Sequence, residues 1–420
     1  MSSRYKNTKT EYKSKTKKKT LKGGKYIDKG GFGCVVKPAI PCHTLKNKYK
    51  DINLNNYVSK IISTPKLKDI YEEIDISDKL NQIDPNNNYF IPIKDYCYIT
   101  ELPEERTDVI SVKYKDDKHK IYDKTSKPNL DKKHCDMDLD NKPINLILPF
   151  GGISLAKIMK INRKDTNNIK AKIHQLFITN IKLYFKHLLI GIEKMHHHKL
   201  VNRDIKQKNI MIYVEPLMIP KLNTIDLKEK NPNILNIMKM KYIDFGLATH
   251  ITSTLSKDIH NISLSGTYRY LAPELFISYI IVKYKNRSTQ YKLQQINEKI
   301  KYVKEALDRI KEKDMISTLK DNIALLYTKI LYLYDNNKLL DKYFGTNTTT
   351  IYNGYMQKAD VYALGISMFD TLQLEKHSNI DVRENKELYN LLLKMIEIDP
   401  DKRYNVIQCI NHPYFLEKSN

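Results

Sequence analysis

The stretch "VNRDIKQKNIMI", Val201 to Ile212, sets one carboxylate, Asp204, among three cations, Arg203, Lys206 and Lys208, with the amide Asn209 five residues further on. Crowding by cations predicts an acid that stays ionised. Two readings fit: a working base held at a chosen place, or one member of a charged surface cluster. The preceding "ITNIKLYFKHLLIGIEKMHHH" (Ile178–His198) is apolar at helical spacing and leads directly into the stretch.

A second carboxylate follows at Asp244, in "IDFG". Two carboxylates and an amide oxygen, without a His/Cys cluster, suit a hard, oxygen-seeking cation such as Mg²⁺ and not zinc. The run His196-His197-His198 invites a metal reading, but adjacent helical positions do not share a face, so it is set aside. Upstream, "YIDKGGFGCVV" (Tyr26–Val36) reads as strand, glycine turn, strand. Gly30, Gly31 and Gly33 allow backbone N–H groups to approach a phosphate, and equally make an ordinary hairpin. A Rossmann turn or Walker loop is disfavoured, because those run from a strand into a helix. Lys60 lies in the apolar strand pattern "YVSKIIS" (Tyr57–Ser63), with Glu72 or Glu73 on the next helix available as its counter-charge. Such a pair would hold a cation against nucleotide phosphates; a plain surface lysine is the alternative.

The chain has 420 residues, 41% of them apolar, which is enough for a sizeable core in two lobes or domains and too many for a mainly disordered chain. Cys34, Cys42, Cys97, Cys135 and Cys409 are scattered without a C-x-x-C pair, which predicts reduced thiols in a reducing compartment and no zinc ribbon or disulfide scaffold. No apolar run is long enough for a membrane helix, and the basic start lacks a signal-peptide apolar region, so the expectation is a soluble intracellular protein. The net charge is +24, of which a net eight comes from residues 1–22, with nine Lys/Arg against Glu11 alone. That arm could contact an anionic surface, nucleic acid or membrane. The remaining excess is spread among interleaved acids, and abundant Lys, Asn and Ile also fit a genome rich in A/T codons.

Residues 1–24 read as a flexible basic tail. Residues 25–150 form a first, strand-rich part with a charged insertion at about 101–142, and residues 151–420 a second, mainly helical part with insertions at about 215–239 and 277–356. In the last insertion Leu293, Ile296, Ile300, Val303, Leu307 and Ile310 step by three and four, as do Ile316, Leu319, Ile323, Leu326, Ile330 and Leu333. Lys313 and Asp314 interrupt the stripe, which predicts two amphipathic helices folded as a hairpin. The hairpin (289–334) either packs on its own domain or offers a surface to a partner protein.

Taken in order, these motifs resemble those of the eukaryotic-type protein kinases, whose signature set is a known template. "KGGFGCV" resembles the glycine-rich loop, "YVSK" stands in the place of V-A-I-K, and "NRDIKQKN" is similar to H-R-D-L-K-x-x-N. "DFG", "GTYRYLAPE", "ADVYALG" and "DPDKRYNVIQCINHPYF" follow in sequence. The resemblance implies an α+β fold of two lobes, a small β-rich N-lobe and a larger mainly helical C-lobe carrying the hairpin insertion. It implies ATP and Mg²⁺ as cofactors. The loop from Ile27 to Val35, with Gly30, Gly31 and Gly33, would cover ATP, with Val35 and Val58 against adenine. Lys60 would hold the α/β-phosphates and pair with Glu73. Asp204 would accept the substrate hydroxyl proton, Lys206 would neutralise the transferring phosphoryl, and Asn209 and Asp244 would ligate Mg²⁺. Asp360 would support the catalytic-loop backbone, and Arg403 would pair with Glu274.

Lys206 together with Thr267 resembles the Ser/Thr class, which makes proteins bearing Ser or Thr the implied substrates. The insert-rich layout looks like the kinases of large DNA viruses, which would place the chain in host cytoplasm or a virion. A pseudokinase scaffold that binds partners through its helical insertion, and a basic nucleic-acid-binding protein, are the alternatives. The chain departs from the family pattern at Asp28, where the first loop glycine is replaced, at Pro149 in the hinge, and at Asn202, where histidine is usual. Asn202 predicts a looser loop with chemistry retained. Lys208, where many basic-directed members carry Glu, predicts no preference for an upstream arginine. Arg203 predicts control by phosphorylation of the activation segment at Ser263 or Ser265. Long spacings, twenty-seven residues from Gly33 to Lys60 and thirty-five from Asn209 to Asp244, fall where surface loops can expand.

Overall fold

The computed structural model describes residues 25–29, 33–42, 53–62, 67–98, 114–115, 121–122, 143–160, 169–227, 229–251, 270–272, 275, 286–288, 290–291, 294, 349–374, 386–397 and 400–416. The basic tail, Gly30, Gly31, Cys135, Ser263, Ser265, Thr267, Glu274 and the predicted hairpin at 289–334, three isolated positions apart, lie outside them. The chain divides into two compact units, one of residues 1–65 and 94–149, the other of residues 66–93 and 150–420. The division falls at Pro149/Phe150, and residues 66–93, read with the strand-rich part, group with the larger unit.

In the smaller unit, β1 (Lys25–Lys29), β2 (Gly33–Lys37), β3 (Tyr57–Ile62), β4 (Asp95–Tyr98) and β7 (Ile144–Pro149) form one antiparallel sheet in the order β1-β2-β3-β7-β4. A separate two-stranded ladder, β5 (Tyr114–Lys115) with β6 (Ile121–Tyr122), lies within the insertion expected at 101–142. Register places Val35, Lys60 and Leu146 in one cross-strand row, and Val58 opposite Leu148. Because strand side chains alternate, Val35, Val58 and Lys60 share a face while Ser59, Ile61, Asn145 and Ile147 point to the other.

That second face is covered by the chain that follows β2. The Ile40 N–H donates to Ser59 Oγ at 2.8 Å, and Asn145 Nδ2 donates to the Ile40 carbonyl at 2.8 Å. Ala39 and Cys42 pack there on Ile147. A disulfide joins Cys42 to Cys97 across a sequence separation of 55, and Cys34 is disulfide-bonded as well. This corrects the expectation of reduced thiols. Spacing along the chain could not show it, because the sheet order, with β4 beside β7, is what brings Cys97 to Cys42. Among the described residues Cys409 is a free, buried thiol.

The larger unit begins with α1 (Leu67–Ile83), whose Ile70, Ile74, Ile76 and Leu80 are buried. Asp84 ends it: its carboxylate accepts the N–H groups of Asn88, Tyr89 and Phe90, which fixes the turn read as "DPNNN". After β8 (Ile153–Ser154) and α2 (Leu155–Ile158) come α3 (Ile169–Thr179) and α4 (Ile181–His197). The single helical run expected here is broken at Asn180, whose side chain bonds the Leu176 carbonyl and accepts the Asn231 N–H. Strand β9 (Leu200–Val201) pairs with β12 (Thr249–His250), and β10 (Ile210–Val214) lies between β8 and β11 (Met238–Tyr242).

The connection from β10 to β11 was expected as an insertion. It folds back on the unit through buried Leu222 and Ile234. Helix α5 (Thr349–Leu374) starts inside the range 277–356, so the ordered "ADVYALG" belongs to a helix already two turns long. Helices α6 (Lys386–Met395) and α7 (Val406–Ile410) complete a core built on Leu188, Leu189, Val361, Leu364, Leu391 and Cys409. Among the described residues no helix is long and apolar enough to cross a membrane.

Candidate active site

The larger unit gathers Asp204, Lys206, Asn209 and Asp244 at the ends of the β10–β11 hairpin. Asn209 immediately precedes β10, and its carbonyl accepts the Ile243 N–H at 3.0 Å, which ties the residue before Asp244 to the start of the hairpin. Lys206 Nζ donates to both oxygens of Asp204, at 2.8 and 2.7 Å. Asn209 Nδ2 donates to the Asp204 carbonyl at 3.0 Å and to its carboxylate at 2.8 Å. Asp204 is therefore gripped from two sides.

The loop backbone hangs on α5. Asp360, 1% exposed, accepts the N–H of Asn202 on Oδ2 and of Arg203 on Oδ1, each at 2.8 Å. This is the support expected of Asp360. His196 Nε2 lies 3.1 Å from the same Oδ2, a partner the sequence reading missed when it set the histidine run aside. Leu189, Ile192 and His196 step by three and four, so position alone marked His196 as inward-facing, whereas His197 and His198 are exposed. Gln207 also ties the loop to α5, donating to Thr371 Oγ1 at 2.8 Å.

Two of the four non-glycine residues with positive φ among the described residues, Arg203 at 67° and Asp244 at 65°, lie in this site. Such conformations cost energy and persist where surrounding bonds hold them. The Arg203 guanidinium donates from Nη1 to the Leu247 carbonyl at 3.2 Å. Asn202 keeps a hydrogen bond within the loop. It is 1% exposed, and its Oδ1 accepts the Asp204 N–H at 3.0 Å.

Opposing influences act on the Asp204 carboxyl, and their sum is upward. Burial pushes its carboxyl above the ordinary aspartate value, Lys206 and Asn209 pull it back, and the nearby Asp244 carboxylate pushes it up again. A raised value is the direction that suits a general base.

Glu73 is 7% exposed and Glu72 is exposed. A Cβ on Gly246 would stand 3.3 Å from Glu73 Oε2 and 3.9 Å from Asp244 Oδ1, so the Glu73 carboxylate lies against the turn that carries Asp244. Phe245 is buried with its ring edge-on to Phe90, centroids 6.0 Å apart. Arg403 is fully buried, donates from Nε to the Glu397 carbonyl at 2.6 Å, and lies over the Tyr362 ring. Its expected partner Glu274 lies outside the described residues.

In the smaller unit Lys60, Val58 and Val35 stand on one sheet face, and Ile27 lies at the irregularity between Tyr26 and Asp28 in the β1–β2 pairing. Gly33 has a reason other than phosphate approach: a Cβ there would fall 1.9 Å from the Ile61 carbonyl oxygen. Pro149 closes β7 opposite Tyr57.

Among the described residues no three His, Cys, Asp or Glu cluster as metal ligands. Asn209 and Asp244 offer an amide oxygen and a carboxylate, and the Asp204 carboxylate is close enough to Asp244 to feel its charge, a donor set that fits a hard divalent cation. No curated protein matches the chain. Residues 151–293, roughly a third of the chain, match the family model of the protein kinase domain, which supports a protein-kinase-type chain of mixed helix and strand, a phosphotransferase function and the use of ATP.

Proposed function

We propose that the chain is a Mg·ATP-dependent protein kinase that phosphorylates Ser and Thr hydroxyls of proteins. The observation that carries this reading is the fixed carboxylate of Asp204, bonded by Lys206 and Asn209 in a loop suspended from Asp360. Asp204 would orient the substrate hydroxyl and take its proton as that oxygen bonds to the γ-phosphorus and the bond from that phosphorus to the departing ADP breaks. Lys206, already beside that carboxylate, shifts its charge towards the transferring phosphoryl group. A divalent cation between Asn209 and Asp244 would supply the charge neutralisation that nucleotide phosphates need. Lys60 and Glu73 keep the roles of phosphate holder and its partner, and Val35, Val58 and the Ile27–Val35 loop, with Gly30, Gly31 and Gly33, cover the nucleotide. Lys208, exposed on the loop, selects against arginine upstream of the target hydroxyl.

The test is incubation with labelled ATP, Mg²⁺ and generic protein acceptors, comparing the parent with Asp204→Asn, followed by phosphoamino-acid analysis. Label on Ser and Thr, reduced at least a hundredfold by Asp204→Asn, is the expected result. Equal labelling by both proteins, or label confined to Tyr, would overturn the assignment.

A further inference from the structure

Three successive backbone N–H groups turn inward at the start of the catalytic loop. Those of Asn202 and Arg203 end on the carboxylate of Asp360, at 2.8 Å each, and that of Asp204 ends on Asn202 Oδ1 at 3.0 Å. The third bond differs in kind. It is a short-range side-chain bond from residue i to i+2, which closes an Asx turn around Arg203. Arg203 holds a φ of 67°, a region a long side chain rarely occupies unless its neighbours are held. Asp204 is thus fixed at both ends: its amide by Asn202, its carboxylate by Lys206 and Asn209.

We infer that Asn202 is a positioning residue that sets the direction of the Asp204 carboxylate, an inference that rests on the kinase reading above. Asp204 is nearly buried, so removing the Asn202 acceptor leaves its N–H unsatisfied. The local remedy is rotation of the Arg203–Asp204 peptide, which releases the left-handed conformation at Arg203 and swings the carboxylate. A displacement of about 1 Å at a reacting group costs on the order of a hundredfold in rate. Nucleotide binding does not pass through this bond, so the loss falls on kcat.

The experiment measures kcat and KM for ATP and a peptide acceptor in the full chain, with unfolding curves and binding of a fluorescent ATP analogue as controls. Asn202→Ala should lower kcat roughly 10- to 100-fold with each KM and the analogue affinity within about twofold. Asn202→Ser, whose hydroxyl can close the same turn, should recover kcat to within about fivefold of the parent. A folded Asn202→Ala with parental kcat, or a folded Asn202→Ser as slow as Asn202→Ala, overturns the inference and leaves the kinase reading standing. An unfolded Asn202→Ala beside a folded, slow Asn202→Ser also overturns it. No transfer by the parent overturns both.

Discussion

Lys241 is a cation where the fold tolerates one poorly. It sits on β11, three residues before Asp244, is 8% exposed, and holds Nζ 4.2 Å from the centre of the Tyr213 ring. Burial is the main cause of a pKa lowered to about 8, the Lys239 ammonium lowers it further, and Asp84 and Glu215 pull it back up. Against the ordinary value of 10.5, that is about 2.5 units, an upper bound of about 3 kcal/mol for holding the ammonium in the fold. The Tyr213 face returns on the order of 1 kcal/mol to the charged form, leaving about 2.

The sign follows from proton counting. Below pH 8 both folded and unfolded chains carry the ammonium, and the folded one bears the full penalty. Between about 8 and 10.5 the unfolded chain binds the extra proton, so stability rises with pH through that window and levels off above it. Lys241→Met keeps the packing and removes the charge. It should stabilise the chain by about 2 kcal/mol at pH 7, and that advantage should shrink towards zero by pH 10. Urea unfolding at both pH values, followed by tyrosine fluorescence and helical dichroism, measures it. A gain equal at pH 7 and 10 would mean that packing, not charge burial, separates the two residues. A loss at pH 7 would refute the reasoning outright.

Three further outcomes are expected. Asp360→Ala removes the acceptor for one buried and one part-buried N–H group and the partner of His196, and should cost about 3–5 kcal/mol in unfolding experiments while abolishing phosphotransfer. Parental stability in that variant would mean the loop is held elsewhere. Gly33→Ala forces the β2–β3 pairing apart and should lower the melting temperature in the absence of any nucleotide; loss of ATP affinity with unchanged melting would restore phosphate approach as the reason for that glycine. Joint replacement of Cys42 and Cys97 by alanine should destabilise by about 4 kcal/mol if the 55-residue closure acts on the unfolded chain, and a thiol reductant should cost the parent at least as much, since Cys34 is bridged too. Indifference to both would show the bridge contributes nothing to folding.

Much of the site was legible because its chemistry is local. The acid, its lysine and its amide lie within six residues, from Asp204 to Asn209, and strand and helix patterns around them read cleanly. Asp360 was legible only through the order of motifs, since 156 residues separate it from Asp204 and no spacing connects them. His196 was lost because a run of three histidines was judged as a group, although only one of them faces inward. The disulfide was hidden for a similar reason: the partner of Cys42 is set by strand order, and β7, which lies beside β4, enters the chain late. The direction of the Asp204 shift could not be read at all. Charge neighbours are visible in a sequence, whereas burial, the largest influence here, appears only when Ile205, Ile210 and α5 close around the loop.

Oxidised Cys42 and Cys97 turn residues 42–97 into a closed ring. The ring starts in the smaller unit, passes into the larger one from Lys66 to Ile93, and returns, carrying α1 and Glu73 on the excursion. One cut anywhere in that excursion opens the ring without dividing the molecule. The helix bearing Glu73 is in this sense tethered twice, once by peptide bonds and once by sulfur: after a single cut beside it, the two pieces of the chain part only under a reductant.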